Sequence, residues 1–153
     1  MLGQSHRGTI APLWSTRRCT VSDVSSPAQT TTASDSQHRV VVLFGGQSPE
    51  HEVSRVTAAH VLAAIDRNRY RVEAVGIDRS GLWHRLPALP SLEHSPEALT
   101  ITGDVDSPSA ILGEPSTVVL PLIHGPMGED GTLQGLFEVV GVPYAGAGVL
   151  GSA

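Results

Sequence analysis

One stretch restricts the fold more than any other. An apolar run over residues 118–123 breaks into His124-Gly125-Pro126-Met127-Gly128-Glu129-Asp130-Gly131-Thr132-Leu133-Gln134-Gly135, and a helical pattern follows. An apolar run, a polar glycine-rich turn and a helix form the repeating unit of α/β proteins. Such a turn sits at the carboxyl end of a buried strand, where these sheets open their ligand clefts. Gly125, Gly128 and Gly131 permit backbone angles and close approaches that side chains forbid. His124 is the first polar residue off the strand, so a rigid element holds its imidazole. Spacing alone leaves two readings open: a display of functional groups, or a plain connection that His124, Glu129 and Asp130 cap and solvate.

A second unit of the same kind lies upstream. Residues 39–44 form a β-branched run that ends at Gly45-Gly46 and leads into Gln47-Ser48-Pro49-Glu50-His51-Glu52-Val53-Ser54. Ser48 suits a helix N-cap and Pro49 the first helical position. Glu50 and Glu52 then fall in the first turn, where acids complement the helix dipole. The helix runs to about residue 65, with Ala58, Val61, Leu62 and Ile65 as its buried stripe. Ser54 lies on that stripe and faces the sheet. The double glycine lacks the spacing of a dinucleotide or P-loop fingerprint, and the acids would repel phosphate. A cationic group, such as an amino acid's ammonium, suits Glu50 better. The alternative is that Glu50 and Glu52 only stabilise the helix start.

Residues 70–77 read as the next strand, which completes a βαβ unit with an expected right-handed crossover. A turn over 78–81 and a short strand over 82–86 follow. Residues 87–116 are rich in Pro, Ser, Gly and acids and read as a long surface insertion with short elements inside it. After the strand at 118–123, Leu133, Leu136, Phe137 and Val140 define one apolar helix face, and Gly141 suits its C′ position. Residues 142–144 start a short fourth strand, and 145–153 begin another connection. The expected fold is α/β, a Rossmann-like parallel sheet flanked by helices over residues 39–153. Residues 1–38 hold too little apolar surface to offset the entropy of ordering, and read as a disordered, dispensable tail.

Composition narrows the function. Fifteen acidic against ten basic residues give a net charge of −5, which argues against nucleic acid as the main partner. The single cysteine, Cys19, cannot close an internal disulfide, which fits a reducing compartment, and reads as a bystander. No apolar run approaches the roughly 18 residues of a membrane span. Arg17-Arg18 is not followed by a signal-like segment. A cytoplasmic protein without membrane insertion is the expectation. His51, His60, His84 and His94 show no convergent ligand spacing, so no metal site is expected in this segment.

The spelling of the whole 124–135 stretch resembles the first signature of the D-alanine–D-alanine ligases, His-Gly-x-x-Gly-Glu-Asp-Gly-x-(apolar)-Gln-Gly, with every fixed position filled. Residues 45–54 keep nearly all of that family's opening motif, Gly-Gly-x-Ser-x-Glu-(basic)-Glu-Val-Ser. Residues 142–150 match a third stretch. The resemblance covers about residues 39–153. It implies the Rossmann-like N-terminal domain of an ATP-grasp ligase that makes D-alanyl-D-alanine for peptidoglycan. One D-alanine is activated by ATP as an acyl phosphate, and the amine of a second attacks it. The tetrahedral intermediate collapses to the dipeptide, with ADP and phosphate released and Mg²⁺ or Mn²⁺ offsetting the phosphate charge.

By the same resemblance, Glu50 and Ser54 belong to the catalytic set. Glu50 binds the first D-alanine's ammonium, Ser54 lies in that glutamate's hydrogen-bonded surroundings, and His124 contacts the D-alanine carboxylate. Gly45, Gly46, Gly125, Gly128, Glu129, Asp130 and Gly131 are structural, with Glu129 and Asp130 tying the turn to the next helix. The ATP and metal sites fall beyond Ala153, so the segment is expected to be inactive alone and the full-length form to be a homodimer. The alternatives are a ligase making D-alanyl-D-lactate or D-alanyl-D-serine, or a non-catalytic α/β binding or dimerisation module.

Overall fold

The computed structural model describes residues 37–87, 89 and 99–153. The expectations for the tail, Cys19 and His94 lie outside the described residues. The centre of the sheet is β1 (Arg39–Gly45). It pairs in parallel with β2 (Arg71–Ile77) on one side and with β5 (Thr117–Pro121) on the other. Strand β1 reads as a continuous apolar run because both of its faces are covered. Val41 and Leu43 point into one core layer, and Val42 and Phe44 into the other. Helix α1 (His51–Ala64) covers the second layer with Ala58, Ala59 and Leu62. Helix α2 (Pro108–Leu112) and helix α3 (Thr132–Val140) cover the first with Ile111, Leu112, Leu133 and Phe137.

The α/β class holds, but the sheet is mixed rather than all parallel. Its order is β4-β3-β2-β1-β5, and β3 (Trp83–Arg85) and β4 (Asp104–Asp106) run antiparallel at one edge. The cause is local. Asp78 Oδ1 accepts from the Ser80 N–H at 2.8 Å and the Leu82 N–H at 3.0 Å, and Gly81 takes φ +91°. A turn this tight leaves no room for a crossover, so the chain returns antiparallel.

Residues 87–116 are not merely a surface insertion. Beside β4 and α2, they supply Leu99, Ile111 and Leu112, each at most 7% exposed. The expected fourth strand shrinks to a single parallel bridge between Val119 and Tyr144. Val119 donates to the Pro143 carbonyl at 2.8 Å and accepts from the Ala145 N–H at 2.9 Å. Pro143 has no N–H to extend a ladder, and Gly146 at φ +131° turns the chain away. A short helix α4 (Val149–Ser152) follows. Gly141, at φ +75°, closes α3 as expected.

Candidate functional site

The two glycine turns meet at the carboxyl ends of β1 and β5. Gly45 and Gly46 both take positive φ, +90° and +95°. A Cβ on Gly45 would stand 2.2 Å from the Ile77 carbonyl oxygen, so only glycine fits there. The helix begins later than its sequence suggests. Glu50, not Ser48, occupies the N-cap position of α1. The Ser48 hydroxyl instead accepts from the Glu50 N–H at 3.1 Å and donates to the His124 carbonyl at 2.7 Å. That carbonyl has just left the β5 edge and needs a donor, so Ser48 ties the first turn to the second. His51, 5% exposed, donates from Nδ1 to the Gly46 carbonyl at 2.6 Å.

Ser54 is completely buried, as its position on the helix stripe requires. Its hydroxyl accepts from the Gly45 N–H at 2.8 Å and donates to the Leu122 carbonyl at 2.6 Å. Both bonds go to backbone, and they clamp the end of β1 to the segment after β5. Ser54 meets Glu50 only through the backbone, its N–H donating to the Glu50 carbonyl at 3.1 Å. The hydroxyl thus spends its hydrogen bonds on the backbone beside Glu50.

In the second turn, a Cβ on Gly128 would stand 2.4 Å from the Ile123 carbonyl oxygen. Gly131, at φ +86°, opens α3. Asp130 ties this turn to the helix. Its carboxylate accepts from the Met127 N–H at 2.8 Å and the Thr132 N–H at 3.1 Å, and these bonds hold its pKa below the ordinary aspartate value. Met127 itself takes φ +71°. Gln134, nearly buried, donates from Nε2 to the Gly128 carbonyl at 3.0 Å.

Glu129 behaves differently from its neighbour. Its side chain is 61% exposed and stands beside His124, with Oε1 3.5 Å from Nδ1. Glu50, His124 and Glu129 each bring one side-chain polar atom within 4.8 Å of the other two. Gly125 beside the cluster takes φ +74°, and a Cβ there would stand 3.3 Å from Ser48 Oγ. His124 Nε2 lies 3.2 Å from the Thr57 hydroxyl on α1. Beside the cluster lies a hollow of about 370 Å³, whose lining includes Thr57, His124, Glu129, Gln134 and Ser152.

This arrangement suits a small zwitterion. Two carboxylates offer a place for an ammonium, and an imidazole beside them offers a donor to a carboxylate. It does not fit the phosphates of ATP. Glu50 and Glu129 would repel them. Nor does it fit Mg²⁺, which takes all-oxygen octahedra, because one of the three converging groups is an imidazole.

A family model described as the N-terminus of D-ala D-ala ligase matches residues 39–147, a span that holds both turns. The chain belongs to the D-alanine–D-alanine ligase family. A curated D-alanine–D-alanine ligase of Streptomyces coelicolor is 45% identical over 139 residues, 75% of this chain and 36% of the relative. One of Staphylococcus haemolyticus is 41% identical over 123 residues, 76% of this chain and 35% of the relative. Among solved structures, the D-alanine–D-alanine ligase of Coxiella burnetii matches with a TM-score of 0.56 at 34% identity, over 74% of this chain and 36% of that one. The VanG D-Ala:D-Ser ligase of Enterococcus faecalis matches with a TM-score of 0.56 at 31% identity, over 76% and 38%. The chain thus spans little more than a third of the length of the curated relatives it matches.

Both family signatures fall on the two turns that the fold brings together. Two contacts lay outside the reach of sequence reasoning. Nothing in a helix sequence marks Thr57 as the partner of a histidine 67 residues away. Ser48, read locally as a cap, spends its proton on a carbonyl 76 residues away.

Proposed function

We propose that this chain is the N-terminal part of an ATP-dependent D-alanine–D-alanine ligase and forms its subsite for the first D-alanine. The carrying observation is the convergence of Glu50, His124 and Glu129 within 4.8 Å at the joined strand ends. Glu50 takes the ammonium and holds the amino acid's orientation, with Glu129 adding negative potential on the same side. His124 takes the carboxylate. Ser54, Ser48, Asp130 and the glycines hold these groups in register. ATP and Mg²⁺ or Mn²⁺ belong to parts of the enzyme other than residues 39–153. The complete enzyme acts in the cytoplasm as a homodimer that supplies D-alanyl-D-alanine to peptidoglycan. The curated relatives favour this product over D-alanyl-D-serine or D-alanyl-D-lactate.

Titration of the chain with D-alanine, followed by NMR, tests this. D-alanine should perturb the side-chain signals of Glu50 and His124, whereas N-acetyl-D-alanine, which has no ammonium, should not. Glu50→Gln should weaken binding by about tenfold or more, the scale of one charge-assisted hydrogen bond. Equal responses to D-alanine and its N-acetyl derivative would remove the ammonium assignment.

A further inference from the structure

His124 is held at both ring nitrogens. Nδ1 lies 3.5 Å from Glu129 Oε1, and Nε2 lies 3.2 Å from Thr57 Oγ1. An ionised carboxylate only accepts, so Glu129 favours a proton on the ring atom that faces it. The Thr57 hydroxyl has one proton and two places to put it. One is His124 Nε2. The other is the Val53 carbonyl one helical turn back, at 3.0 Å.

We propose that Thr57 is a positioning residue that keeps an N–H at Nδ1 of His124 in both charge states of the ring. When the ring is cationic, Nε2–H donates to Thr57 Oγ1, and the threonine proton goes to the Val53 carbonyl. When the ring is neutral, the hydroxyl rotates and donates to the Nε2 lone pair, while Nδ1 retains its proton. The donor on the Glu129 side is therefore present in either charge state. The charged groups around the ring are Glu50, from the segment before α1, and Glu129, from the second turn, and α1 presents the uncharged Thr57. In functional terms, which rest on the D-alanine reading above, Thr57 fixes the tautomer and the orientation of the ring that faces the first D-alanine. Thr57 lies outside both signatures, yet it decides what the signature histidine offers.

The test reads the tautomer directly. Long-range ¹H–¹⁵N correlation spectra of the His124 ring are recorded across pH for the 153-residue chain and for Thr57→Val and Thr57→Ser. Valine keeps the shape and loses the hydroxyl, and serine restores it. In the unsubstituted chain the neutral ring should be mainly the Nδ1–H form, and in Thr57→Ser likewise. In Thr57→Val the ratio of Nδ1–H to Nε2–H should fall about 3- to 10-fold, the equivalent of one neutral hydrogen bond. A merely structural role for Thr57 would leave that ratio unchanged, and an unchanged ratio overturns the proposal. So does a neutral ring that is mainly Nε2–H in the unsubstituted chain. A D-alanine titration of the same samples separates the two readings. If Thr57→Val shifts the tautomer while D-alanine leaves His124 and Glu50 unperturbed in the unsubstituted chain, the positioning role stands and the substrate assignment falls.

Discussion

Ser54 adjoins the proposed D-alanine subsite and supports it through the backbone. Its hydroxyl is saturated by two backbone partners and has no exposed surface. Ser54→Ala leaves the Gly45 N–H and the Leu122 carbonyl without their partner in a dry place. Such orphaned groups cost about 1–3 kcal/mol, and urea unfolding should show a loss of that size. The pattern of residues perturbed by D-alanine, recorded without denaturant, should stay the same, because the Ser54 hydroxyl bonds none of the proposed substrate contacts. A Ser54→Ala chain of unchanged stability would show that the clamp is dispensable. Glu129 makes the opposite point. It belongs to the same signature as Asp130, but the Asp130 carboxylate bonds the Met127 and Thr132 N–H groups of its own turn while Glu129 faces the histidine.

At the scale of elements, the edge of the sheet away from the site is held by charge. Arg39 on β1 is 1% exposed and pairs with Glu73 on β2 at 2.5 Å, with further bonds to the Ile111 carbonyl at 2.7 Å and the Thr117 hydroxyl at 2.9 Å. Arg85 on β3 reaches Glu73 at 2.6 Å, Asp106 on β4 at 2.9 Å and Glu114 at 2.9 Å. The network is shared by two glutamates, with Glu114 also 3.2 Å from Arg39. Removing one partner of a buried pair is far more damaging than the pair is stabilising, because the other charge stays buried. Glu73→Ala should destabilise the fold by about 1–3 kcal/mol by denaturant unfolding, since Glu114 still faces Arg39 at 3.2 Å. Replacing Arg39 and Glu73 together by apolar residues of similar volume should recover much of the loss. A single substitution that proves harmless would show that Glu114 alone satisfies Arg39.

For the whole molecule, the acid side of the stability curve is set by aspartates. Asp78 is held well below the ordinary aspartate range, first by its hydrogen bond from the Ser80 hydroxyl and then by the one from His84. Asp106 is lowered chiefly by Arg85, and Asp130 by the Met127 N–H. A carboxylate whose folded pKa is depressed contributes stability that is fully present above its unfolded pKa and is lost as pH falls through the folded one. Stability should therefore be insensitive to these groups above about pH 5 and decline steadily below about pH 4, the unfolded aspartate value. Asp78→Asn should flatten part of that decline, which unfolding curves collected from pH 6 to pH 2 would reveal. A decline of the same slope in Asp78→Asn would place the acid sensitivity elsewhere.

The sequence by itself determined the α/β class, the three parallel strands, the two long helices and the two turns that carry the family's signatures. These features are written in contiguous residues: apolar runs, a 3.6-residue period, and glycines where a Cβ would collide with a carbonyl at 2.2 or 2.4 Å. Tertiary structure decided what the local signals could not. A cap-like serine spent its proton across the sheet because the carbonyl left at the end of β5 needed a donor. The segment at 87–116, polar in composition, gave its few apolar residues to the core, since burial follows position rather than average composition. The edge strands turned antiparallel because the Asp78 turn is too short for a crossover. The meeting of Glu50, Thr57, His124 and Glu129 depends on parallel pairing of β1 with β5, which places residues nearly 80 positions apart at one sheet edge. Sequence spacing carries no record of such a pairing, because only the register of the two strands sets the distance between their ends.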